Sequence, residues 1–499
     1  SPIQNKVLLD GMTIYNPFHS IGLFSFFETD IIRNVKVFTG GFSAEYGDRL
    51  SAVLDVTTRD GNKKQFSGKV AVNPFLSKVV LEGPIKKIND AGSSVSYMFT
   101  GKTSYLDQSS KLFYSYIDTG GLPYSFTDLY GKISLNGSNG SKLSFFGFNF
   151  DDHVDYQFVS EYDWKSFGFG TNFVIVPGGS KVLIGGTISY SDYEISLQEG
   201  DGLPRTSGIN GFDLNIDFTY FVPNGDIKYG FDIGGFRTEL QFYNSLGLKI
   251  EQNNNTTELS GFIVYKHIFN EKFILEPSLR LQYYASLPAF SPEPRISLKY
   301  NLTENVRLKA AAGLYSQNFI STKSDQDVVN LFTGFLTAPD GQLYDINGEP
   351  VNNNLQRASQ AVIGVEADLL DNLELTVEPY FKNFGQLINI NRSKLLPTDP
   401  NFEIEQGQAY GLDFLVKYDY RNFYLWVAYS LGYVTRDNGE QEYPPHFDRR
   451  HNLNIVASYT WGKDRSWEVD ARFNFGSGFP FTLTQGFYEQ INFLDGINT

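Results

Sequence analysis

Apolar and polar residues alternate along most of the chain from Phe66 onward. The run FDLNIDFTY at 212–220 places aromatic and aliphatic residues on one face and Asp, Asn and Thr on the other. Residues 410–419 and 467–475 repeat this pattern. A period of two predicts β-strands, and runs of about nine to twelve residues exceed the usual strand of a soluble sheet. Long strands with an apolar and a polar face are typical of a barrel between lipid and water.

Short turns and longer polar stretches alternate strictly between these predicted strands. This parity predicts an antiparallel transmembrane barrel over residues 61–499, with short turns on one rim and long extracellular loops on the other. We count about nineteen strands, whereas plugged outer-membrane transporters have 22. The last strands are therefore expected to be missing. The longer stretches lie near 104–124, 151–164, 193–210, 237–256, 313–356, 384–408 and 434–449.

The first sixty residues follow a different pattern. They contain a short apolar strand closed by Asp10-Gly11, an aromatic loop at 15–19, a helical piece, and strands at 35–38 and 53–58. Glycines stand where tight turns need positive φ. The pattern predicts a small mixed α/β unit that is too short to bury a core alone. We expect residues 1–60 to pack inside the barrel.

Composition narrows the function classes. The 499-residue chain has no cysteine and a formal net charge of -15. Disulfides and thiolate metal sites are thus excluded, and a nucleic-acid surface is disfavoured. No run of ~18 apolar residues predicts a transmembrane helix. Alternating strands conceal their apolar surface from hydropathy, so this pattern remains compatible with a membrane barrel.

Candidate chemistry is sparse. The five histidines form no HExxH pair, and neither a nucleophile elbow nor a glycine-rich phosphate loop is present. We expect no enzyme, no catalytic residue and no cofactor. His446 and His451 flank a Phe-Asp-Arg-Arg turn, which favours loop anchoring over a metal site. Acidic loop residues allow calcium binding or simple solvation; they are Asp151, Asp152, Asp155 and Asp201.

Four ordered motifs in the first sixty residues resemble a known family. VLLDG at 7–11, IIRNVKVFTGG at 31–41 and AEYGDRLSAVLDVTTRDGN at 44–62 are similar to the second half of the plug of TonB-dependent outer-membrane receptors. The sequences of these motifs most resemble those of receptors from Bacteroidetes-type bacteria, outside the carbohydrate-importing branch of these receptors. Three barrel segments resemble the same group: LPYSFTDLYGK at 122–132, EPRISL at 293–298 and YPPHFDRRHNL at 443–453. By this resemblance, the chain is truncated at both ends.

The resemblance implies TonB-dependent import of a scarce nutrient across the bacterial outer membrane. The nutrient could be a siderophore, a cofactor, an oligosaccharide or a peptide. Implied partners are the TonB–ExbB–ExbD energy-coupling complex, through a segment absent here, a surface lipoprotein as a lid, and outer-membrane lipid and lipopolysaccharide. No nucleic acid is implied. The alternative is a non-transporting scaffold of a larger outer-membrane complex with a lipoprotein partner.

Two sets of residues are candidates for the implied function. Tyr15, Asn16, Phe18 and His19 form the loop that in the family rises toward the outer vestibule. They are expected to bind substrate at the plug apex, or else to pack the loop against the barrel wall. Glu45 and Arg49 are charges beside the glycine turns. They are expected to lock the plug to the barrel, with Arg49 meeting a lumen carboxylate, or else to form an exposed ion pair.

Overall fold

The computed structural model describes residues 2–19, 22, 24–113, 121–156, 160–200, 202–243, 247–322, 332–391 and 394–480. In this part of the chain, no helix is both long enough and apolar enough to cross a membrane.

The first unit is a plug built on a four-stranded sheet in the order β2-β1-β6-β5. Strand β1 pairs parallel with β6 and antiparallel with β2, and β5 pairs antiparallel with β6. A two-stranded β3-β4 hairpin lies beside this sheet. The strands are β1 (Asn5–Leu9), β2 (Met12–Thr13), β3 (Phe18–His19), β4 (Phe24–Ser25), β5 (Ile32–Phe38) and β6 (Ala52–Thr58).

The expected helical piece is wrong for the plug residues that the structure describes. They contain only short 3-10 turns, among them Pro2–Gln4 and Thr29–Ile31, while residues 20, 21 and 23 lie outside the described residues. The Glu28 side chain accepts the Asp30 N–H and caps the second turn. The chain then becomes extended at Ile32, where β-branched side chains favour a strand over further helix.

The remaining chain forms a closed barrel of twenty strands. Nineteen are long and one, β26, has two residues, so the expected count of about nineteen is confirmed. The first thirteen are β7 (Ser67–Val72), β8 (Leu76–Lys86), β9 (Ser94–Ser104), β10 (Tyr124–Asn136), β11 (Lys142–Tyr156), β12 (Ser160–Ile175), β13 (Val182–Glu199), β14 (Arg205–Val222), β15 (Gly225–Tyr243), β16 (Lys249–Phe269), β17 (Phe273–Tyr284), β18 (Ala289–Asn301) and β19 (Val306–Gln317).

A long loop then carries a hairpin of β20 (Phe319–Ser321) and β21 (Phe335–Thr337). The barrel continues with β22 (Gln356–Leu370), β23 (Leu373–Ile390), β24 (Phe402–Tyr420), β25 (Phe423–Asp437), β26 (Glu442–Tyr443), β27 (His451–Trp461) and β28 (Trp467–Gly476). A single α-helix, α1 (Leu106–Phe113), lies in the loop after β9 in the described part of the chain.

Many barrel strands are longer than the pattern predicts. Strand β16 has 21 residues, and much of the expected loops at 193–210 and 237–256 is paired strand. Alternation is imposed only where one face of a strand meets lipid. Beyond that zone both faces can be polar, while the ladder still satisfies the backbone N–H and C=O groups.

The two faces of the wall differ as the alternation predicts. Large apolar side chains remain exposed on the outside, including Phe145, Phe169 and Phe212. Inward residues, such as Phe148 and Phe150, are buried against plug residues, including Phe26. The core therefore lies between plug and wall, and the outer face presents the apolar surface that a bilayer requires.

Candidate functional site

The apex loop, residues 13–19, connects β2 to β3 and is covered by the β20-β21 hairpin. The Tyr15 ring lies edge-on to Phe319 at 6.5 Å and to Phe335 at 5.2 Å between centroids. Phe18 is 50% exposed, whereas His19 is fully buried. The predicted ligand-binding side chains therefore divide into a surface group and a packed group.

The β20-β21 hairpin is anchored to the barrel wall. The Gln252 amide donates to the backbone oxygen of Thr337 at 3.1 Å, and the Asn254 amide donates to its hydroxyl at 3.0 Å. The Tyr193 hydroxyl donates to the backbone oxygen of Thr333 at 3.0 Å. Residues 333–337 are thus bonded to β13 and β16, and the hairpin packs on the Tyr15 ring.

His19 joins the apex loop to the barrel through two carboxylates. Its Nε2 lies 2.8 Å from Asp128 on β10, and its Nδ1 lies 2.9 Å from Asp152 on β11. The imidazole stacks on Phe126 with centroids 4.3 Å apart, and Lys102 lies 2.8 Å from Asp128. A protonated imidazole donates from both nitrogens, so this geometry suits the charged ring.

The pKa of His19 follows from this arrangement. Burial acts to lower the pKa, but the hydrogen bonds and charges of Asp128 and Asp152 outweigh burial and raise the His19 pKa above its usual 6.5. The two neighbouring carboxylates therefore favour the charged form of the ring. His19 is used for plug–barrel contact, and its nitrogens are engaged rather than offered to a ligand.

A second plug segment, residues 39–51, contacts the wall through its backbone; we call it the locking turn. Arg295 on β18 donates to the carbonyl oxygens of Phe42, Ser43 and Tyr46 at 3.2, 2.7 and 2.7 Å. Its other nitrogen pairs with buried Glu293 at 2.6 Å. One guanidinium nitrogen thus binds three carbonyl groups of the turn, two of which also accept from the Tyr315 hydroxyl or the Tyr46 N–H.

Other wall residues hold the same turn. Arg280 on β17 donates to the carbonyl oxygen of Ala44 at 3.3 Å, and Lys382 on β23 donates to that of Thr39 at 2.6 Å. Gln360 on β22 donates to the carbonyl oxygen of Leu50. The turn needs Gly47 because a Cβ there would collide with the Arg280 guanidinium. Gln317 on β19 accepts the Leu50 N–H, so side chains from at least five strands bind the backbone of the locking turn.

The two predicted locking residues contact the barrel in different ways. Glu45 pairs with Lys228 on β15. Arg49 lies 4.3 Å above the Phe319 ring and donates to the Asn5 and Asp48 backbone oxygens. A lumen carboxylate was expected as the partner of Arg49, but the observed contact is aromatic, because the β20-β21 hairpin brings Phe319 over the plug.

A cavity of about 260 Å³ lies between the plug and strands β13–β17. Plug residues Lys6, Tyr15 and Asp48 line one side of it. Burial acts to raise the pKa of Asp48, but Lys6, Arg280 and Arg49 outweigh burial and hold it at about 2. The cavity reaches the buried edge of Tyr15, so it connects the apex loop with the charged interface below it.

Sequence reasoning missed most wall residues that touch the plug. Arg280 and Lys382 looked like ordinary inward polar positions, and Asp152 looked like an acidic loop residue for calcium or solvation. Asp128 lies in the motif at 122–132, but no role was predicted for it. One signal was present, because Asp10, Tyr130 and Lys132 lie in family-like motifs. In the structure the Tyr130 hydroxyl donates to Asp10 at 2.6 Å, and Lys132 pairs with it at 3.1 Å.

Metal-ligating groups are scarce in the described ranges. One cluster of three meets there, His153, Glu161 and Asp163, whose ligand atoms lie within 4.8 Å of one another. It is half-exposed on the outward face of β11 and β12. Asp201, one of the acidic residues considered for calcium, lies outside the described residues. His451 contacts the Tyr429 hydroxyl at 2.8 Å, and Arg450 pairs with Asp448 at 2.9 Å, as expected for loop anchoring.

No protein-family model matches the chain. No curated protein matches it either. Solved structures do match. The alcaligin outer-membrane receptor FauA from Bordetella pertussis has 12% identity and a TM-score of 0.67, over 95% of this chain and 79% of that one. The FrpB iron transporter from Neisseria meningitidis has 11% identity and a TM-score of 0.69, over 94% and 79%.

A third similar structure is the Serratia marcescens hemophore receptor HasR, in complex with its hemophore HasA and heme. It has 12% identity and a TM-score of 0.66, over 95% of this chain and 84% of that one. At such identities the likeness establishes the fold. The chain therefore has the architecture of these receptors and transporters, a large antiparallel barrel with a plug in its lumen.

Proposed function

We propose that this chain is a TonB-dependent receptor of Bacteroidetes type that imports a scarce nutrient across the bacterial outer membrane. The observation that carries the proposal is a barrel whose lumen holds a separately folded plug, bound largely by polar contacts to the wall. The similar structures support it, because their names refer to alcaligin, iron and heme with its hemophore.

The plug has to move before a nutrient can pass. The cavity beside it, at about 260 Å³, is smaller than the ~300–1,000 Å³ of ordinary small-molecule sites. The locking turn is held by at least six hydrogen bonds from the wall. Opening such contacts needs energy, and the TonB–ExbB–ExbD complex is the proposed source because the outer membrane holds no ATP.

Within this function the apex loop receives substrate from the outer side. Phe18, half exposed, is the proposed first contact, and Asn16 is the proposed amide donor beside it. Tyr15 and His19 hold the loop in place through the β20-β21 hairpin and the Asp128–Asp152 pair. Substrate binding that displaces the hairpin would expose Tyr15 as well.

A reversible cross-link tests whether plug movement is needed. The chain has no cysteine, and a Cβ at Gly11 of the plug would lie 3.3 Å from the Thr187 Cβ on β13. That separation is close to the Cβ–Cβ distance of a disulfide. The Gly11→Cys/Thr187→Cys variant is expected to lose uptake when oxidised and to regain it on reduction. The Gly11→Cys single variant is the control for strain at Gly11, and Thr187→Cys is the control for the loss of the threonine.

The nutrient is found by growth and uptake assays on a gene deletion, supplied with iron siderophores, heme, oligosaccharides or peptides in turn. Import of one class should fall on deletion and return with the wild-type gene. If deletion instead blocks assembly or secretion of other proteins and leaves all uptake intact, the chain is the scaffold considered above. If the Gly11→Cys/Thr187→Cys variant imports equally well in its oxidised and its reduced form, plug movement is not required.

A further inference from the structure

The cavity between plug and wall is more negative than positive. It is lined by seven carboxylates and five cationic side chains. Most of the carboxylates have a partner of opposite charge or a strong donor. Asp48 pairs with Lys6 at 2.7 Å and Asp232 with Arg280 at 2.7 Å. Glu45 and Asp217 share Lys228, and Asp55 accepts from the Tyr46 hydroxyl at 2.9 Å.

Two carboxylates stand apart from these pairs. Asp213 accepts one long hydrogen bond, from the Thr13 hydroxyl of the plug at 3.4 Å. Glu258 is only 6% exposed, and its Oε1 has no hydrogen-bond partner in the described structure, while its Oε2 accepts from Gln282 at 3.2 Å. The charges of Lys6 and Arg49 act on both carboxylates, but Lys6 pairs with Asp48 and Arg49 lies over the Phe319 ring. A buried anionic oxygen without a donor of its own remains costly.

The barrel register places these two carboxylates on either side of a gap. Gly234 on β15 lies directly opposite Asp213 on β14 and directly opposite Glu258 on β16. All three positions face the cavity. The Asp213 Oδ1 lies 3.1 Å from where a Cβ of Gly234 would be, so it leans over the glycine. The missing side chain leaves a notch between two anions.

We propose that this notch, formed by Asp213, Gly234 and Glu258, binds a divalent cation, with its remaining ligands supplied by water. Strands two apart in a sheet are separated by about 9–10 Å, which leaves room for a hydrated ion between the carboxylates. Carboxylate and water oxygens are among the ligands that Ca²⁺ and Mg²⁺ prefer.

The proposed ion would also connect the plug to the barrel wall. Thr13 belongs to β2 and contacts Asp213 on the wall, so an ion there would join the plug edge to β14 and β16. The site does not depend on the proposed import, because an ion can stabilise the plug in a receptor or in a scaffold. The rival explanation is that the two acids remain neutral by binding protons.

Binding is tested on the purified full chain in detergent, with Ca²⁺ measured by calorimetry and Tb³⁺ by tyrosine-sensitised luminescence. The background is Glu161→Gln/Asp163→Asn, which removes the outward cluster as a competing site. In this background we expect one Ca²⁺ per chain, and at least tenfold weaker binding in Asp213→Asn/Glu258→Gln. Gly234→Ala should also weaken binding, although it keeps both charges, because its methyl group narrows the notch.

Folding is checked by circular dichroism and by the heat-modifiable migration of the barrel on gels. A folded double variant that binds Ca²⁺ as tightly as the background overturns the proposal. The proposal is also overturned if the wild-type protein binds one ion and this ion is lost in Glu161→Gln/Asp163→Asn. If the background protein binds no ion at millimolar Ca²⁺ while remaining folded, the proton explanation replaces the cation.

Discussion

Two plug segments are held to the same barrel by different chemistry. The locking turn offers backbone carbonyl groups to Arg295, Arg280 and Lys382, whereas the apex loop inserts one side chain, His19, between Asp128 and Asp152. An arginine remains charged at any physiological pH, but a histidine does not. The contacts of Arg295 and Arg280 therefore do not depend on proton loss, whereas the contact of His19 does.

The difference also concerns what is lost when an attachment opens. Withdrawal of the locking turn leaves the buried Arg295–Glu293 pair intact, because each partner retains the other. Withdrawal of His19 takes away the ring that lies within 3 Å of both Asp128 and Asp152. Like charges in a poorly solvated site repel, so the apex attachment is the one whose rupture changes the lumen most.

The largest effect is expected for Arg295→Ala. The change removes the three hydrogen bonds that Arg295 Nη1 donates to the locking turn, and it leaves Glu293, 1% exposed, without its cation. Removing one partner of a buried pair costs about 3–5 kcal/mol. Hydrogen exchange should report a loss of that order in the local opening free energy of residues 39–51, with the apex loop much less affected.

The matched control is Arg307→Ala. Arg307 also lies on a barrel strand and pairs with Asp368 at 2.7 Å, but its partners are on the wall and are partly solvated. A partly exposed pair of this kind is worth about 0–1 kcal/mol. Equal protection of residues 39–51 in both variants would show that Arg295 does not hold the turn.

A smaller and opposite pattern is expected for His19→Ala. The apex loop loses its stacked ring and its link to two carboxylates, which costs about 2–3 kcal/mol when a buried partner is left unsatisfied. Exchange should increase over residues 13–19 and stay unchanged over 39–51. His267→Ala is the control, since that imidazole bonds Tyr265 on the wall. Faster exchange in both segments would mean that the plug opens as one unit.

The sequence predicts the wall far better than it predicts these attachments. Lipid imposes a period of two on every strand, so the alternation alone predicts strands at 212–220, 410–419 and 467–475, and these lie within β14, β24 and β28. Arg295 meets Phe42 across 253 positions of sequence, and no local pattern encodes that meeting. Charged residues on the inward face are candidates for plug contacts. Which of them contact the plug depends on the strand register of the barrel, which the sequence does not show.

The β20-β21 hairpin was also not predicted from the sequence. Residues 313–356 look like one irregular loop in the sequence. The two strands of the hairpin have three residues each, which is too few to show a recognisable alternation. Its position over Tyr15 depends on wall donors from other strands, such as Gln252 and Asn254. The expectation that the Tyr15 loop faces the outer vestibule therefore did not include the hairpin that packs on Tyr15.

A more modest change is expected for Gly47→Ala. The added methyl group would overlap the Arg280 guanidinium, which is held by Asp232 at 2.7 Å and cannot move freely. Overpacking of this size costs about 1–2 kcal/mol, at the lower end of the usual range. The free energy of opening of residues 39–51 should fall accordingly. Gly385→Ala, where a Cβ meets nothing within 4 Å, should leave it unchanged.

The smallest effect is expected from pH alone, and it separates the two attachments without any mutation. Because the folded pKa of His19 is raised, its stabilisation is complete below the ordinary value of 6.5 and is lost as pH rises through the raised value. Exchange at residues 13–19, corrected for intrinsic rates, should therefore increase above pH 6.5, while residues 39–51 stay constant. The change is smaller than in His19→Ala because the neutral ring keeps its stacking and one donor. The dependence should disappear in His19→Gln, and its persistence there would assign the titration to another group.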